Sequence, residues 1–115
     1  MTLNHDTFEY EHELNIGKNK GKARLWMEKG VLTDSGIHHG DRFNVTYIDG
    51  YFTNIGYVKP VLLIEVNPNG KRKVSGKLDR PIIDMTAKTL QPLFEIGDRA
   101  RIYSKGEGVL RITKI

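Results

Sequence analysis

Hydrophobic and polar residues alternate along most of this chain, and a period of two residues predicts β-strands. The alternation is unbroken over residues 7–16. One side of this segment is mostly apolar and the other is largely acidic, the two sides being Phe8, Tyr10, His12, Leu14 and Ile16 against Glu9, Glu11, Glu13 and Asn15. The pattern favours a half-buried strand at a sheet edge, where charge prevents pairing with another chain. The functional alternative is an acidic lip that docks a basic partner or covers the protein's own basic face.

Turn sequences separate further predicted strands, which lie at 25–27, 42–47, 61–66, 81–85, 99–104 and 109–113. Residues 61–66 are apolar nearly throughout, which indicates burial on both faces. The residues expected in the core are Leu25, Val45, Leu63, Ile83, Ile102 and Ile112. Trp26, the only tryptophan, is also expected in the core, with a base-stacking platform as the alternative.

One segment of the chain occurs twice. The copies are 35–47 and 92–104, and each is a partly apolar stretch followed by Gly-Asp-Arg and an alternating strand. Glycine permits the positive φ of a tight corner, and the aspartate can accept hydrogen bonds from nearby backbone N–H groups. Helical turns precede each corner, with Gly36 as a C-terminal cap in the first copy and Thr86 as an N-terminal cap in the second. These features predict an internal duplication.

Charge is distributed unevenly over the 115 residues, whose length predicts a single domain spanning 1–115. The first 13 residues carry four acids and no Lys or Arg, so the remainder has 18 basic minus 10 acidic side chains, or +8. A basic body is typical of nucleic-acid binders, and solubility is the alternative reason for it. The chain has no cysteine, which fits a cytoplasmic location, and no apolar run near the ~20 residues of a membrane span.

Two clusters hold nine of the 18 basic side chains: Lys18, Lys20, Lys22 and Arg24 in the first, and Lys71, Arg72, Lys73, Lys77 and Arg80 in the second. The first cluster has a cation at every second position, so an extended backbone would point all four the same way and match a row of phosphates. A solvated loop and a charged hairpin tip are the alternatives. Arg24 is the first candidate for contact with a guanine edge.

Catalytic and metal-binding signals are weak in this sequence. His38 and His39 are adjacent, so their side chains diverge, and no carboxylate or third histidine follows at ligand spacing. No nucleophile–base–acid arrangement or phosphate-binding glycine loop is present. We therefore expect a non-enzymatic protein without metal or cofactor. Residues 50–60 form a glycine- and aromatic-containing excursion, either an extended hairpin loop or an insertion.

A strand, a short helix, an apolar-x-x-Gly-Asp corner and two further strands resemble the AbrB/MazE/SpoVT swapped-hairpin unit, on residues 37–45 and, more fully, 82–112. In that family two copies interlock into one small β-barrel, usually as a homodimer. The resemblance implies a mostly β single-chain pseudo-dimer here, with a first repeat at 18–76 that contains the 50–60 insertion and a second repeat at 80–114. The acidic strand at 7–16 lies outside the family pattern.

Residues 19–26, 67–76 and 81–84 are also similar to the amino-terminal extension of some phage-type DNA cytosine methyltransferases, whose methyltransferase part is absent here. Swapped-hairpin proteins often bind DNA through basic residues of the first strand, which by position implies the first basic cluster. The second repeat has only Arg80 at the matching place, so the contact with DNA need not be two-fold.

Together these features favour a DNA-binding module that is transcription-regulator-like or accessory to DNA modification. It would bind phosphates through a basic strip, which is continuous if both clusters lie on one side of the barrel. The alternative is a small phage-type inhibitor or antitoxin-like protein that binds an acidic protein partner, such as a host-defence or nucleic-acid-processing enzyme. We expect no membrane association, and either a monomeric pseudo-dimer or a homodimer.

Overall fold

The computed structural model describes residues 10–53, 56–104 and 106–115, which form a mostly β structure with two short helices. The strands are β1 (Tyr10–Asn15), β2 (Gly17–Asn19), β3 (Lys22–Glu28), β4 (Arg42–Ile48), β5 (Tyr51–Thr53), β6 (Gly56–Val58), β7 (Val61–Val66), β8 (Arg72–Lys73), β9 (Ser75–Lys77), β10 (Arg80–Thr86), β11 (Arg99–Ser104) and β12 (Val109–Lys114). Helix α1 (Gly30–Thr33) follows β3, and helix α2 (Ala87–Leu90) follows β10. The predicted mostly β fold class is confirmed.

The strands form two antiparallel sheets and one separate hairpin. The six-stranded sheet has the order β1-β11-β12-β7-β4-β8, and the four-stranded sheet has the order β2-β3-β10-β9. Strands β5 and β6 pair with each other and occupy most of the 50–60 segment. Neither sheet closes on itself among the described strands. The closed barrel expected from the family resemblance is therefore not found there, and two open sheets take its place.

One hydrophobic core is shared by both sheets and both helices. Alternate residues of β3 and β10 supply its centre, because Leu25, Met27, Ile83 and Met85 all point to the same side of the four-stranded sheet and are buried. The opposing side comes from the six-stranded sheet and the helices. The other buried members are Ile16, Ala23, Val31, Leu32, Ile37, Phe43, Leu62, Ile64, Val74, Leu90, Phe94, Ala100, Ile102, Leu110 and Ile112.

The predicted core residues that are buried are Leu25, Ile83, Ile102 and Ile112. Val45 packs against the core but is only partly buried. Leu63 is also partly buried, because it points to the face of β7 opposite Leu62 and Ile64. The expectation that Trp26 is a core residue is wrong. Its side chain faces away from Leu25 and Met27, and the residue is 41% exposed.

The two Gly-Asp corners have the same backbone conformation and the same hydrogen bonds. Gly40 and Gly97 have φ of 88° and 90°. The carboxylate of Asp41 accepts a hydrogen bond from the backbone N–H of His38, and Asp98 accepts one from that of Glu95, each at 2.8 Å. The turn chemistry predicted for these positions is therefore confirmed.

Each corner also holds the bend of an edge strand. β1 continues into β2 through Ile16, and β8 continues into β9 through Val74, so both segments pass from the six-stranded to the four-stranded sheet. The backbone of Ile16 donates to Asp98 at 2.8 Å and accepts from Gly97 at 3.0 Å. Val74 does the same with the corner at 40–41, at 2.8 and 3.1 Å. Both bend residues are buried, so apolar packing and hydrogen bonds fix the bends together.

Strand β1 is at an edge of the six-stranded sheet as described, in agreement with its alternating pattern. Glu11 and Glu13 are exposed, whereas Leu14 is partly buried. Residues 7–9 of the strand predicted at 7–16 lie outside the described part of the chain. Among the residues that the structure describes, no helix is long and apolar enough to cross a membrane.

Candidate nucleic-acid interface

The first basic cluster folds into a hairpin rather than an extended row. Lys20 and Gly21 have φ of 52° and 77°, and positive φ at both central residues is the signature of a tight two-residue turn. The turn reverses the chain between β2 and β3, so that Lys18 lies opposite Ala23 and Asn19 lies opposite Lys22. Lys18 therefore points to the other face of the sheet from Lys22. The expectation that all four cations of this cluster point the same way is wrong, because the turn interrupts the alternation.

The outer face of the four-stranded sheet is the side that points away from the core. It carries Lys22, Arg24, Trp26 and Glu28 from β3, Ile82, Asp84 and Thr86 from β10, and Ser75 and Lys77 from β9. Arg80 extends this face at the start of β10, directly opposite Lys77. Strand β2 flanks only the first three residues of β3, and β9 flanks only the first three of β10. Around Trp26 and Asp84 the sheet is therefore two strands wide.

Arg24 lies on this outer face between Lys22 and Trp26 and is held on two sides. Its Nε and Nη2 donate hydrogen bonds to the two carboxylate oxygens of Asp84 at 2.9 and 3.0 Å. Its guanidinium carbon lies 4.5 Å from the centroid of the Trp26 ring, in cation–π geometry. The hydrogen bonding to Asp84 raises the pKa of Arg24. The side chain is thus fixed in one orientation while about a third of it stays exposed to solvent.

The second basic cluster lies along the bent segment β8–β9. We use the name basic edge for its five residues Lys71, Arg72, Lys73, Lys77 and Arg80 together with Arg42 of β4. Two cross-strand pairs of this edge bring like charges directly opposite each other, Arg42 with Lys73 and Arg80 with Lys77. All six residues are exposed. Like charges in such pairs repel, so this arrangement costs stability in the protein alone.

Contacts with polar groups hold part of the basic edge in place. Arg72 donates a hydrogen bond to the hydroxyl of Thr89 in α2, and Nη1 of Arg42 donates to the carbonyl of Gly70 at 3.3 Å. Nε of Arg80 lies 4.0 Å from a carboxylate oxygen of Glu28, at the outer limit of an ion pair. Most of the positive charge of this edge is therefore not neutralised by the acids that the structure describes.

The two predicted clusters do not merge into one continuous strip. Because β3 and β10 are antiparallel, the β2–β3 turn lies at one end of the four-stranded sheet and the β9–β10 turn lies at the other. The rise per residue of a strand puts Lys22 and Arg80 about 25 Å apart. Between them lie the Arg24–Asp84 pair and Glu28. The outer face is thus positive at both ends and balanced in the middle.

The opposite edge of the six-stranded sheet has a different charge arrangement. We call Glu11 and Glu13 of β1, with Arg99 and Arg101 of β11, the acidic edge. Glu13 accepts hydrogen bonds from Arg99 and Arg101 at 2.9 Å each, and Arg101 lies 2.8 Å from Glu11. Hydrogen bonding from Arg101, with the nearby charge of Arg99, lowers the pKa of Glu13. The edge position predicted for this strand is therefore observed, and its glutamates pair with two arginines of the neighbouring strand rather than covering the basic clusters.

Sequence reasoning did not find two partners of these sites. Asp84 is 60 positions from Arg24, and Arg42 is 31 positions from Lys73, so no local pattern connects either pair. His38 and His39 lie at the first corner, where Nδ1 of His38 is 3.6 Å from Asp41. No group of three or more metal-ligating side chains occurs within the described residues.

Comparison of this chain with known proteins gave no match among protein-family models, curated proteins or solved structures.

Proposed function

We propose that this protein is a non-enzymatic DNA-binding module whose phosphate-binding surface is the basic edge. One observation carries the proposal, namely the two exposed like-charge pairs that the bent segment β8–β9 forms with its neighbours, Arg42–Lys73 with β4 and Arg80–Lys77 with β10. A polyanion that lies along the segment relieves the repulsion within each pair, because its phosphates supply the opposite charge. Each phosphate that is bound also releases condensed counterions, which adds to the affinity. The basic charge of the chain after its first 13 residues supports the same conclusion.

We also propose that the fold is a single-chain pseudo-dimer of interlocked repeats, as in swapped-hairpin proteins. The order of the six-stranded sheet, β1-β11-β12-β7-β4-β8, pairs β1 with the second Gly-Asp-Arg strand and β8 with the first. The matching hydrogen bonds of Ile16 and Val74 to the two corners support this arrangement. They favour a repeat boundary between β7 and β8 rather than after residue 76, so that β1 and β2 belong to the first repeat and β8 and β9 to the second.

The proposal is tested by the salt dependence of binding to a dye-labelled, mixed-sequence DNA duplex, measured by fluorescence anisotropy. The logarithm of the affinity should fall linearly with the logarithm of salt concentration, by about 0.9 per phosphate neutralised. Replacing Lys73 and Lys77 together by alanine should make this slope about 1.8 units shallower, roughly equally on all sequences. No change in wild-type anisotropy at the lowest salt would exclude DNA binding and leave the acidic protein partner as the hypothesis to pursue.

The matched control is the double variant Lys59→Ala with Lys114→Ala. Both lysines are exposed and lie outside the basic edge, and their removal changes the net charge by the same amount. Lys114 is paired with Asp98 at 3.2 Å, so the urea midpoint of this variant is measured alongside its binding. We expect its salt slope to stay close to that of the wild type. Equal slopes for the control and the Lys73/Lys77 variant would show that the basic edge is not the binding surface.

A third double variant, Lys20→Ala with Lys22→Ala, tests the β2–β3 turn. The ends of the outer face are about 25 Å apart. This is less than the ~34 Å of one helical turn of B-DNA, so a single duplex can reach both ends. We therefore expect a similar reduction in slope for this variant. A slope unchanged from the wild type would restrict the interface to the basic edge.

A further inference from the structure

Arg24 presents an unused pair of hydrogen-bond donors on the outer face of the four-stranded sheet. A guanidinium group has five N–H donors. Asp84 accepts one from Nε and one from Nη2. This leaves the end of the fork, where one N–H of Nη1 and one of Nη2 point in parallel. In the described part of the chain, no protein acceptor is bound to that end of the fork. It fits a planar ligand with two adjacent acceptors.

The orientation of this fork is set before any ligand arrives. Asp84 holds one side of the guanidinium group, and the indole of Trp26 lies against its face at 4.5 Å. A long flexible side chain normally loses conformational entropy when it is fixed by a ligand. Here the ion pair and the ring contact have already fixed it.

The charge of this site favours a neutral ligand over a phosphate. Arg24 and Asp84 together are neutral, and a phosphate on the free end of the fork would lie close to the Asp84 carboxylate and be repelled by it. The exposed lysines at the ends of the face lack such an acid partner among the described residues, and they suit phosphates better. A base edge with two acceptors carries no net charge. In the major groove, the O6 and N7 atoms of guanine form such an edge.

The sheet narrows to two strands beside Arg24, whose own cross-strand neighbours are Gly17 of β2 and Thr86 of β10, and this shape agrees with entry into a groove. Around Trp26 and Asp84 the sheet consists of β3 and β10 alone. A two-stranded ribbon fits the major groove of B-DNA, which is about 12 Å wide. The cations at both ends of the face would then meet the flanking phosphates.

We propose that Arg24 reads the major-groove edge of guanine and that Asp84 is the positioning residue that orients it. The proposal rests on the proposed DNA-binding function and assigns its base-specific contact. The test compares two alternating G·C duplexes of identical sequence, one of which has 7-deazaguanine in place of guanine. This analogue keeps base pairing and phosphate charge but lacks the N7 acceptor.

We expect the wild type to bind the 7-deazaguanine duplex about fivefold or more weakly than the guanine duplex. Asp84→Asn should bring the ratio of the two affinities close to one. Its affinity for the 7-deazaguanine duplex should not fall, because the substitution removes a negative charge from a surface that faces phosphates. Arg24→Lys keeps the charge but not the two parallel donors, so its affinities for the two duplexes should also be nearly equal.

Glu28→Gln is the matched control, since it removes a carboxylate from the same face without contact to Arg24. It should strengthen binding to both duplexes and keep the wild-type ratio. Equal wild-type affinity for the two duplexes would overturn the guanine contact and leave the DNA-binding function standing. A ratio retained in Asp84→Asn would overturn the positioning role. Absence of binding to either duplex would overturn this inference together with the proposed function.

Discussion

The segments β1–β2 and β8–β9 follow similar backbone paths with opposite electrostatics. Each runs along an edge of the six-stranded sheet, bends at one buried residue and continues along an edge of the four-stranded sheet. The cross-strand neighbour of Glu13 on β1 is Arg101, which has the opposite charge. The neighbour of Lys73 on β8 is Arg42, which has the same charge. Similar geometry is thus combined with charge pairing on one side and charge repulsion on the other.

This difference shows that the fold requires the contacts that fix the bends but not a particular set of exposed charges. Both bends are fixed by an apolar side chain and by hydrogen bonds to a Gly-Asp corner. The exposed charges take no part in those contacts. In the acidic edge the charges balance, because Arg99 and Arg101 form hydrogen bonds with Glu13 of the same chain. The acids that the structure describes leave most of the positive charge of the basic edge uncompensated, which supports a role in binding an external polyanion.

The largest expected effect tests whether the two bends are equivalent. Ile16→Ala removes three buried carbons and should cost about 2–5 kcal/mol of unfolding free energy. Val74→Ala removes two and should cost less, because the cavity is smaller. Ile102→Ala, in the middle of β11, serves as a core reference and should also cost about 2–5 kcal/mol of unfolding free energy. Urea denaturation measures all three. A midpoint that falls in only one of the two bend variants would show that only one bend is structurally important.

The next largest effects are expected from reversing one charge on each edge. Lys73→Glu places an acid directly opposite Arg42 and converts a repulsive pair into an attractive one. Its urea midpoint should stay equal to or rise above that of the wild type, while its affinity for duplex DNA should fall further than with alanine at this position.

Glu13→Lys makes the reciprocal change, because it places a third cation beside Arg99 and Arg101. Its midpoint should fall, and its affinity for duplex DNA at low salt should rise because the net charge increases by two. The comparison fails if both variants change stability in the same direction, since the edges would then not differ in the proposed way.

The sequence predicts the turns at the two Gly-Asp corners, but the prediction of which face of β3 carries Trp26 is wrong. Gly40-Asp41 and Gly97-Asp98 form the expected corners because conformation and hydrogen bonds there depend on residues within three positions. Trp26 was misplaced because the apolar run 25–27 hides the phase of the alternation. The phase is visible in the wider strand, where Lys22, Arg24 and Glu28 share a face with Trp26.

Long-range pairs were beyond sequence reasoning on a single chain. Pairing of β4 with β8 and of β3 with β10 decides that Arg42 meets Lys73 and that Arg24 meets Asp84. Such pairing depends on the whole topology rather than on any segment. The turn at Lys20 and Gly21 does have a local signal, a glycine between polar residues, which competes with the regular spacing of the lysines that favours an extended segment.

The smallest expected effect is a pH dependence that belongs to the acidic edge. Hydrogen bonding from Arg101, and then the charge of Arg99, lowers the pKa of Glu13 from its ordinary 4.5. Its folded pKa lies below its unfolded pKa, so its contribution to stability is fully present above the unfolded value. That contribution is lost as the pH falls through the folded pKa. Urea midpoints between about pH 7 and about pH 3 should therefore show Glu13→Gln below the wild type at neutral pH, with the two converging in acid. Lys73→Gln, on the basic edge, should give a curve parallel to that of the wild type. If the Glu13→Gln curve is parallel to that of the wild type instead, the carboxylate is not paired with these arginines in solution. The proposed charge pairing of the acidic edge would then be wrong.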